Sequence, residues 1–441
     1  MKSSKVKTKL GASYWKLWSA TTISNLGDGI VAIAYPWLAS AITRSPFLIA
    51  LTAVVSNLPW LIFSLHAGVI TDRFNRKRII VAMDSVRGLL TIAVGIFVYL
   101  ERDSLPSLNE LTTLTNLETN YTLYSAILVA AFLFGLAEVL RDNSAQTLMP
   151  SVVEDKDLEK ANGRMWSAES LTNSFIGPPL GSFIIAIAIF LPFFIDAASF
   201  FVAAALIAGM KPTVKSFAPN AKSGPINFRA EIKEGFSWLW RHPLLRPMAI
   251  ILGLLNGIFA LTGAVFILFA QEVLNTTVFI FALLGTAAAV GGILGGLHGP
   301  KISEKIGRGR SLALALFVEP LAVLLIGFAS KWYIVWVLTF FLTFTGVLWN
   351  IVTVSLRQSL IPANLLGRVN SVYRLFALGT LPIGTLLGGG LVFVLEGRIG
   401  REMAFRSVYF VGAALGFLLF VYAIRVLTTE AIEKARLSSG L

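Results

Sequence analysis

Twelve apolar stretches run through almost all of this 441-residue sequence, and each is long enough to cross a membrane. The hydrocarbon core of a bilayer is about 30 Å thick, which a helix of about 20 residues spans. The stretches are continuous rather than alternating, so they favour helices over strands. In lipid a helix satisfies its own backbone hydrogen bonds, whereas a single strand cannot. They lie near 15–41, 46–71, 79–100, 121–145, 165–187, 189–210, 248–270, 278–299, 311–330, 333–355, 371–395 and 404–426. The predicted fold is an all-α membrane protein with twelve transmembrane helices.

Charge supports a membrane protein rather than a nucleic-acid binder. Charged residues make up 14% of the chain, against about a quarter in soluble domains. The net charge of +13 falls in short clusters between apolar stretches, where it acts as a topology signal. Most Lys and Arg residues lie in the inner segments if the N-terminus is cytoplasmic. We therefore expect both termini in the cytoplasm, a bacterial inner-membrane location and no nucleic-acid partner.

The chain divides into two similar halves. We expect a six-helix half over 1–210, a cytoplasmic linker over 211–246, a second six-helix half over 247–426 and a cytoplasmic tail over 427–441. A shift of 232 residues superposes a charged cluster of the first half on one of the second, each after a second span. The superposed clusters are Asp72, Arg73, Arg76 and Arg78 on Glu304, Lys305, Arg308 and Arg310. Pseudo-symmetric six-helix halves are typical of secondary transporters.

The linker contains a helical apolar pattern. Phe228, Ile232, Phe236 and Trp240 recur every four residues while Arg229 and other basic residues face elsewhere. This pattern predicts an amphipathic helix on the inner leaflet, so membrane lipid is an expected partner. The alternative is a helix packed on soluble loops.

The loop after the second span resembles the signature of the major facilitator superfamily. Its sequence is Gly68-Val-Ile-Thr-Asp72-Arg73-Phe-Asn75-Arg76-Lys-Arg78. The family has glycine where Asn75 stands, and asparagine is the next best residue at positive φ, so we expect the turn to survive. Because the charged loops lie at equivalent positions at the ends of spans two and eight, we expect them to form a conformational gate, with these residues: Gly68, Asp72, Arg73, Arg76, Arg78, Glu304 and Arg308.

Two further resemblances indicate export. Ile176-Gly177-Pro178-Pro179-Leu180-Gly181-Ser182 resembles the antiporter motif of the family's exporters, in which proline bends the helix and small residues allow close contact with a partner helix. The runs Asn25–Gly29 and Glu138–Pro150 resemble the branch that holds macrolide-efflux proteins and the enterobactin exporter. This likeness implies proton-driven export of a drug or siderophore.

Motifs of catalysis are absent from the sequence. No phosphate-binding G-x-x-x-x-G-K-[ST] run occurs, the three histidines lack zinc spacing, and there is no nucleophile motif and no cysteine. We therefore expect no enzyme, no cofactor and no metal, and an ion gradient must supply the work.

Ionisable residues within the spans are candidates for proton coupling, because a charge in the bilayer needs a partner or a cavity. The candidates are Asp28, Glu138, Arg141, Asp142 and Glu169. Asp28 either exchanges protons or only bonds its neighbours, and Glu169 is either a gate residue or simply hydrated. Asp84 with Arg87 favours a static pair, and Asp196 is expected to be solvated at the interface.

Four aromatic residues within the spans are candidates for an apolar substrate pocket, or else are packed or lipid-facing: Tyr35, Trp60, Trp349 and Tyr373. Together these features predict a monomeric exporter of small amphipathic organic molecules, working by alternating access and proton antiport. The alternatives are a lipid or lysolipid translocator of the same fold and a non-transporting receptor or scaffold.

Overall fold

The computed structural model describes residues 10–108, 110–112, 114–153, 158–211, 228–361 and 365–438. Within these ranges the chain is helical and contains no strand. The first half contains α1 Ala12–Ile42, α2 Pro46–Arg73, α3 Arg76–Leu100, a 3₁₀ turn Glu110–Thr112, α4 Tyr121–Val152, α5 Leu158–Glu169, a π-helix Ser170–Ile176, α6 Gly177–Ile187 and α7 Leu191–Ala208.

The second half continues with α8 Phe228–Arg241, α9 Leu245–Gly263, α10 Phe266–Leu268, a π-helical turn Phe269–Val273, α11 Val278–Ile306, α12 Arg308–Phe328, α13 Trp332–Leu360, α14 Leu366–Gly379, α15 Leu381–Ile399, α16 Arg401–Val426 and α17 Thr429–Ser438. The fifth predicted span is built from α5, the π-helix and α6, and the eleventh from α14 and α15. A proline lies in the first turn of the last helix in both cases, Pro178 in α6 and Pro382 in α15, where a missing amide hydrogen costs little.

Eleven helical stretches of the described chain are long and apolar enough to cross a membrane. The helix α1 is outside that set because Lys16, Asn25 and Asp28 reduce its apolar character, yet its 31 residues exceed the length that a bilayer requires. The predicted all-α transmembrane architecture is therefore confirmed.

The helices form two compact units. Unit 1 comprises Met1–Ile42, Val55–Pro106 and Asn120–Ser223, and unit 2 comprises Thr43–Val54, Ser107–Thr119 and Gly224–Leu441. In unit 1, α3 packs on α4 and α7, and α1 packs on α6 and α7. In unit 2, α12 packs on α13 and α16, and α9 packs on α15 and α16. The helices of the two units therefore pair in the same chain order, as duplicated halves do. The chain boundaries at 211 and 246 remain a prediction.

The linker helix α8 presents two faces. Leu239 is buried in the core of unit 2 and Trp238 packs against that core. On another face Phe236 and Trp240 are exposed and stack with ring centroids 5.4 Å apart. This aromatic face is the one that the sequence pattern assigns to lipid, and its membrane contact remains a prediction. Residues 212–227 of the predicted linker lie outside the described ranges.

His242 forms the junction between α8 and α9. Its Nδ1 atom accepts hydrogen bonds from the backbone amides of Leu244 (3.2 Å) and Leu245 (3.1 Å), at the start of α9. The ring also lies 5.2 Å from that of Trp238. Burial lowers the pKa of His242. The neutral ring is therefore the form that caps the helix, since a protonated Nδ1 is a donor and cannot accept.

Acidification should weaken this junction. A histidine whose pKa is lower in the folded state adds stability above its unfolded value of about 6.5, and loses it as the pH falls through the folded value. We expect the thermal unfolding midpoint of the wild type to drop between pH 8 and pH 5. His242→Asn retains a capping oxygen that does not titrate, so its midpoint should drop less. Equal slopes in the two proteins would remove His242 from this role.

A cluster of ion pairs lies at one end of unit 2. Arg44, in the segment that precedes α2, is buried and binds Gln271 (2.7 Å) and Glu272 (2.5 Å). The guanidinium of Arg401 binds the other oxygen of Glu272 at 2.7 Å and the carboxylate of Glu396 at 2.7 Å. Glu272 thus forms ion pairs with both Arg44 and Arg401. Without its negative charge the two guanidiniums would repel each other.

Neutralising Glu272 should destabilise the fold. Removing one member of a buried ion pair typically costs about 3 to 5 kcal/mol. The matched control is Glu402→Gln, because the Glu402 side chain is 66% exposed in its pair with Arg406 and such surface pairs contribute about 1 kcal/mol or less. Thermal unfolding should show a large fall in midpoint for Glu272→Gln and little change for Glu402→Gln. Similar falls in both variants would contradict the prediction.

Candidate functional site

A network of ionisable side chains lies inside unit 1. Arg87 on α3 contacts Asp28 of α1 (Nη2 to Oδ1, 2.9 Å) and Asp84 of its own helix (Nη1 to Oδ1, 3.7 Å). Arg141 on α4 contacts the same Asp84 oxygen at 3.4 Å and Asp142 at 3.0 Å. Asp84 therefore bridges the two arginines. The sequence predicted a pair of Asp84 with Arg87 and named Arg141 and Asp142 as proton-coupling candidates, but it did not predict that these groups join.

The centre of the network is closed to water. The side chain of Asp84 is fully buried, and that of Arg87 is only 2% exposed. The Arg87 guanidinium lies 4.6 Å from the ring centroid of Phe134 and 4.1 Å from that of Phe200, within range of cation–π attraction. Neither Asp84 oxygen has a hydrogen-bond partner in the described part of the chain. Coulombic attraction is thus the main force on this carboxylate.

The network opens towards two acids at its edge. The side chains of Asp28 and Asp142 are 22% and 33% exposed. Glu138, one turn before Asp142 on α4, accepts a hydrogen bond from Trp60 Nε1 at 3.5 Å. The site therefore grades from a dry centre to acids that solvent can reach. Glu169, the last residue of α5, is exposed. Whether it is a gate residue or simply a hydrated acid remains a prediction.

The position of Asp196 differs from the one expected. It was expected to be solvated at the interface, but α7 places it in the interior with no exposed surface. A side chain at Gly27 would collide with the Asp196 carboxylate and the Ser199 hydroxyl. Ser199 donates to the Asp196 backbone carbonyl at 2.7 Å, and Asp196 Oδ2 has no partner among the described residues. The missed signal was Gly27, which leaves room beside Asp28 for a second acid.

The site contains more acids than bases. Its carboxylates are Asp28, Asp84, Glu138, Asp142 and Asp196, and its guanidiniums are Arg87 and Arg141. If every group were ionised, the net charge of the cluster would be −3. Unpaired buried charges are costly, because a medium of low dielectric neither solvates nor screens them. A cluster of this kind is chemically able to bind protons.

The antiporter-motif helix packs directly on α1 beside this cluster. A Cβ at Gly177 would lie 2.6 Å from the Gly29 Cα atom, and a Cβ at Gly181 would collide with the Ile30 carbonyl. Pro178 is buried at the same contact. The close approach predicted from the small residues is present, and its partner helix is α1 on either side of Asp28.

The segment before this motif is a π-helix, Ser170–Ile176. A Cβ at Gly29 would lie 2.7 Å from the Asn173 carbonyl, so the widened turn also touches α1. Asn173 Nδ2 donates to Asn25 Oδ1 at 3.5 Å. Such π-bulges are frequent at functional sites, and the hydrophobic pattern of the sequence contains no signal for one.

The aromatic pocket candidates are divided between the units. Tyr35 packs edge-on against Phe193 with centroids 5.2 Å apart, and Trp60 contacts Glu138, both in unit 1. Trp349 and Tyr373 are buried in the core of unit 2, where the Arg357 guanidinium lies 4.2 Å from the Tyr373 ring. Their part in substrate binding remains a prediction.

The predicted gate loop has a different turn from the one expected. Asn75 has φ −66° rather than a positive value, and its side chain accepts from the Arg78 amide at 3.2 Å as the N-cap of α3. Arg76 Nε donates to the Thr71 carbonyl at 3.3 Å. At the position equivalent by the shift of 232, Gly307 has φ +85° between α11 and α12, which Glu304 and Arg308 flank. The surroundings of Gly68 and the side chains of Asp72 and Arg73 lie outside the described part of the structure.

Long apolar helices that pair in the same chain order in two units, with an interior charge network, are typical of a polytopic membrane transporter. The family model of the Major Facilitator Superfamily matches residues 17–378. The chain belongs to this superfamily. It is therefore a transporter and not an enzyme.

Relatives and solved structures agree with this class. The chain is 24% identical over 391 residues to the multidrug efflux pump Tap of Mycolicibacterium fortuitum, covering 87% of this chain and 90% of that protein. It is 22% identical to the enterobactin exporter EntS of Shigella boydii, with 84% and 83% covered. A bacterial homologue of the iron transporter ferroportin, in its inward-facing state, superposes with a TM-score of 0.69 at 15% identity, covering 95% of this chain and all of that one.

Adding one methyl group at the helix contact should test its tightness. Gly181→Ala forces a Cβ against the Ile30 backbone, and such overpacking typically costs about 1 to 3 kcal/mol. Gly285→Ala in α11 is the matched control, because a Cβ there meets nothing within 4 Å. Thermal unfolding in detergent should show a lower midpoint for Gly181→Ala and no loss for Gly285→Ala. An unchanged midpoint for Gly181→Ala would mean that the helices separate freely.

Proposed function

We propose that this transporter exports small amphipathic organic molecules in exchange for protons. It works as a monomer in a bacterial inner membrane, with both termini in the cytoplasm. The single observation that carries the proposal is the excess of carboxylates over guanidiniums in the interior of unit 1. Protons are the simplest ligands that remove such an excess, because they need no coordination shell.

Asp28 is the entry point for the proton. It is the acid that joins the partly exposed edge of the network to the buried Arg87, through an ion pair of 2.9 Å. A proton on Asp28 weakens this pair and leaves Arg87 to Asp84, the buried acid 3.7 Å away. The positive charge then shifts towards the centre of the network. This exchange of partners is the step that senses the proton.

The signal passes from Asp28 to the rest of unit 1 through α1. The glycines on either side of Asp28 bring α1 close to other helices: Gly27 lies against the Asp196 and Ser199 side chains of α7, and Gly29 lies against the backbone of the π-helix and of α6. A small movement of α1 at this point must therefore move these helices, because close-packed contacts leave no space to absorb it. Close glycine contacts therefore couple a movement of α1 to the neighbouring helices, as alternating access requires.

The proton gradient supplies enough energy for export. One elementary charge moved through 100 mV provides about 2.3 kcal/mol. Since about 1.4 kcal/mol corresponds to a factor of ten, this sustains roughly a fortyfold gradient of a neutral substrate. No second energy source is required.

The proposed substrate class is supported by relatives that are named for drug efflux and for enterobactin export. We propose a drug, a macrolide or a siderophore as the substrate. A lipid or lysolipid translocator of the same fold is distinguished in the same assay, since lysolipids are among the compounds to be screened.

Asp28→Asn tests the coupling role. The amide keeps the shape of the side chain and removes its titration, so pH-driven efflux should be lost. Substrate binding and membrane expression should stay near normal, because Arg87 keeps Asp84 as an acidic partner. The assay uses proteoliposomes with an imposed pH gradient and screens macrolides, catecholate siderophores and lysolipids for transport.

Asp103→Asn is the control for this experiment, because it neutralises an acid whose side chain is 87% exposed, well outside the network. It should transport like the wild type. Gradient-driven transport that persists in Asp28→Asn would refute the role of Asp28, and the absence of transport of every compound class by the wild type would refute the proposed substrates.

A further inference from the structure

Glu319 is a buried acid that the proposed mechanism does not use. It lies in the middle of α12 in unit 2, and its Oε2 atom is inaccessible and has no hydrogen-bond partner among the described residues. Across from it on α16 is Gly416, where a Cβ would lie 3.0 Å from this oxygen. The carboxyl therefore points into a helix contact that glycine keeps open.

The internal repeat relates Glu319 to a residue of the charge network in unit 1. The shift of 232 residues that superposes the two charged loops also places Arg87 on Glu319. Arg87 lies where α3 packs on α7, and Glu319 lies where α12 packs on α16. Each half thus has one ionisable residue at the same place in its fold. In unit 1 that residue is neutralised by Asp28 and Asp84, whereas no ion pair to Glu319 occurs in the described part of unit 2.

Charged groups on the helices around Glu319 are distant. About nine residues of helix, or about 14 Å, separate it from the basic residues at the start of α12, and similar lengths separate Gly416 from the arginines towards the ends of α16. On α13, which packs on α12, the basic residue lies in the last turn. These residues are Arg308 and Arg310 of α12, Arg406 and Arg425 of α16, and Arg357 of α13. None is close enough to act as a counter-ion.

The neighbours also exclude a metal ion. Calcium takes six to eight oxygen ligands and magnesium requires an octahedral set. Glu319 is beside Pro320 and faces Gly416, and the described residues contain no group of His, Asp and Glu side chains that could hold a metal. A proton is the cation that a single carboxylate can bind without further ligands.

A hinge lies next to this acid. Pro320 has no amide hydrogen, so it cannot donate the helical hydrogen bond to the Leu316 carbonyl, and α12 can bend there. A Cβ at Gly416 would lie 2.8 Å from the Pro320 side chain. Bending of α12 at Pro320 would therefore separate it from α16 and admit water to Glu319.

We propose that Glu319 is a second proton-binding site of this transporter. It holds a proton while α12 and α16 are in contact, as here, and releases it when α12 bends at Pro320. The proton leaves as hydronium and the carboxylate is left hydrated, so charge is balanced by the solvent. The coupling of this proton to export rests on the proposed function, whereas its binding to Glu319 does not.

Infrared difference spectroscopy on the purified full-length protein, titrated from acid to alkaline pH, tests the binding. A protonated carboxyl has a C=O stretching band that disappears on ionisation. We expect the wild type to lose such a band that Glu319→Gln lacks from the start, and Glu319→Asp to shift the band. The matched control Glu430→Gln removes an exposed acid of α17 and should leave this band intact.

Two results would overturn the proposal. If wild type and Glu319→Gln give the same difference spectrum, Glu319 is ionised throughout. If the band is assigned to Glu319 but persists at alkaline pH, the proton is permanent and purely structural. Neither readout requires transport, so a failure here is separable from a failure of Asp28→Asn to abolish efflux. With binding established, Glu319→Gln should also lower the number of protons exchanged per substrate in proteoliposomes.

Discussion

The buried guanidinium of Arg87 is the charge around which unit 1 is organised. It cannot be left unpaired in a low-dielectric interior, so Asp28 and Asp84 must lie within reach and the rings of Phe134 and Phe200 must cover it. Those contacts fix α1, α3, α4 and α7 relative to one another. Because Asp84 also contacts Arg141, the helices share one electrostatic network, in which a change of protonation at one acid alters the partners of the next.

Close helix contact is the second requirement, and glycine provides it. The residues flanking Asp28 have no side chains, so α1 approaches the antiporter-motif helix at backbone distance, and the Asp196 and Ser199 side chains of α7 lie directly against it. Such contacts bring an acid near the centre of the unit and also make it sensitive to small movements. The π-helix Ser170–Ile176 adds a turn of altered width at the same place. Charge and packing thus converge on one short stretch of α1.

The two units use the same helix pairing for different electrostatics. Unit 1 has a dense network with two arginines, whereas the equivalent position of unit 2 contains Glu319 in largely apolar surroundings. Unit 2 instead has its buried ion pairs at one end, where Arg44 and Arg401 share Glu272. The two units thus share the arrangement of their helices but differ in the positions of their buried ionisable groups.

The sequence by itself determined the fold class, because twelve continuous apolar stretches leave helices as the solution in lipid. It also determined the superfamily resemblance through the charged loop and the glycine-proline motif, and it identified Asp28, Glu138, Arg141 and Asp142 as intramembrane charges. Only the tertiary structure decided which of these groups meet. The burial of Asp196 and the bridging position of Asp84 depend on residues dozens of positions away. The capping conformation of Asn75, by contrast, is a local contact with the Arg78 amide. Helical periodicity fixes neighbours within four residues, whereas the energy of a buried charge is set by whatever the other helices place beside it.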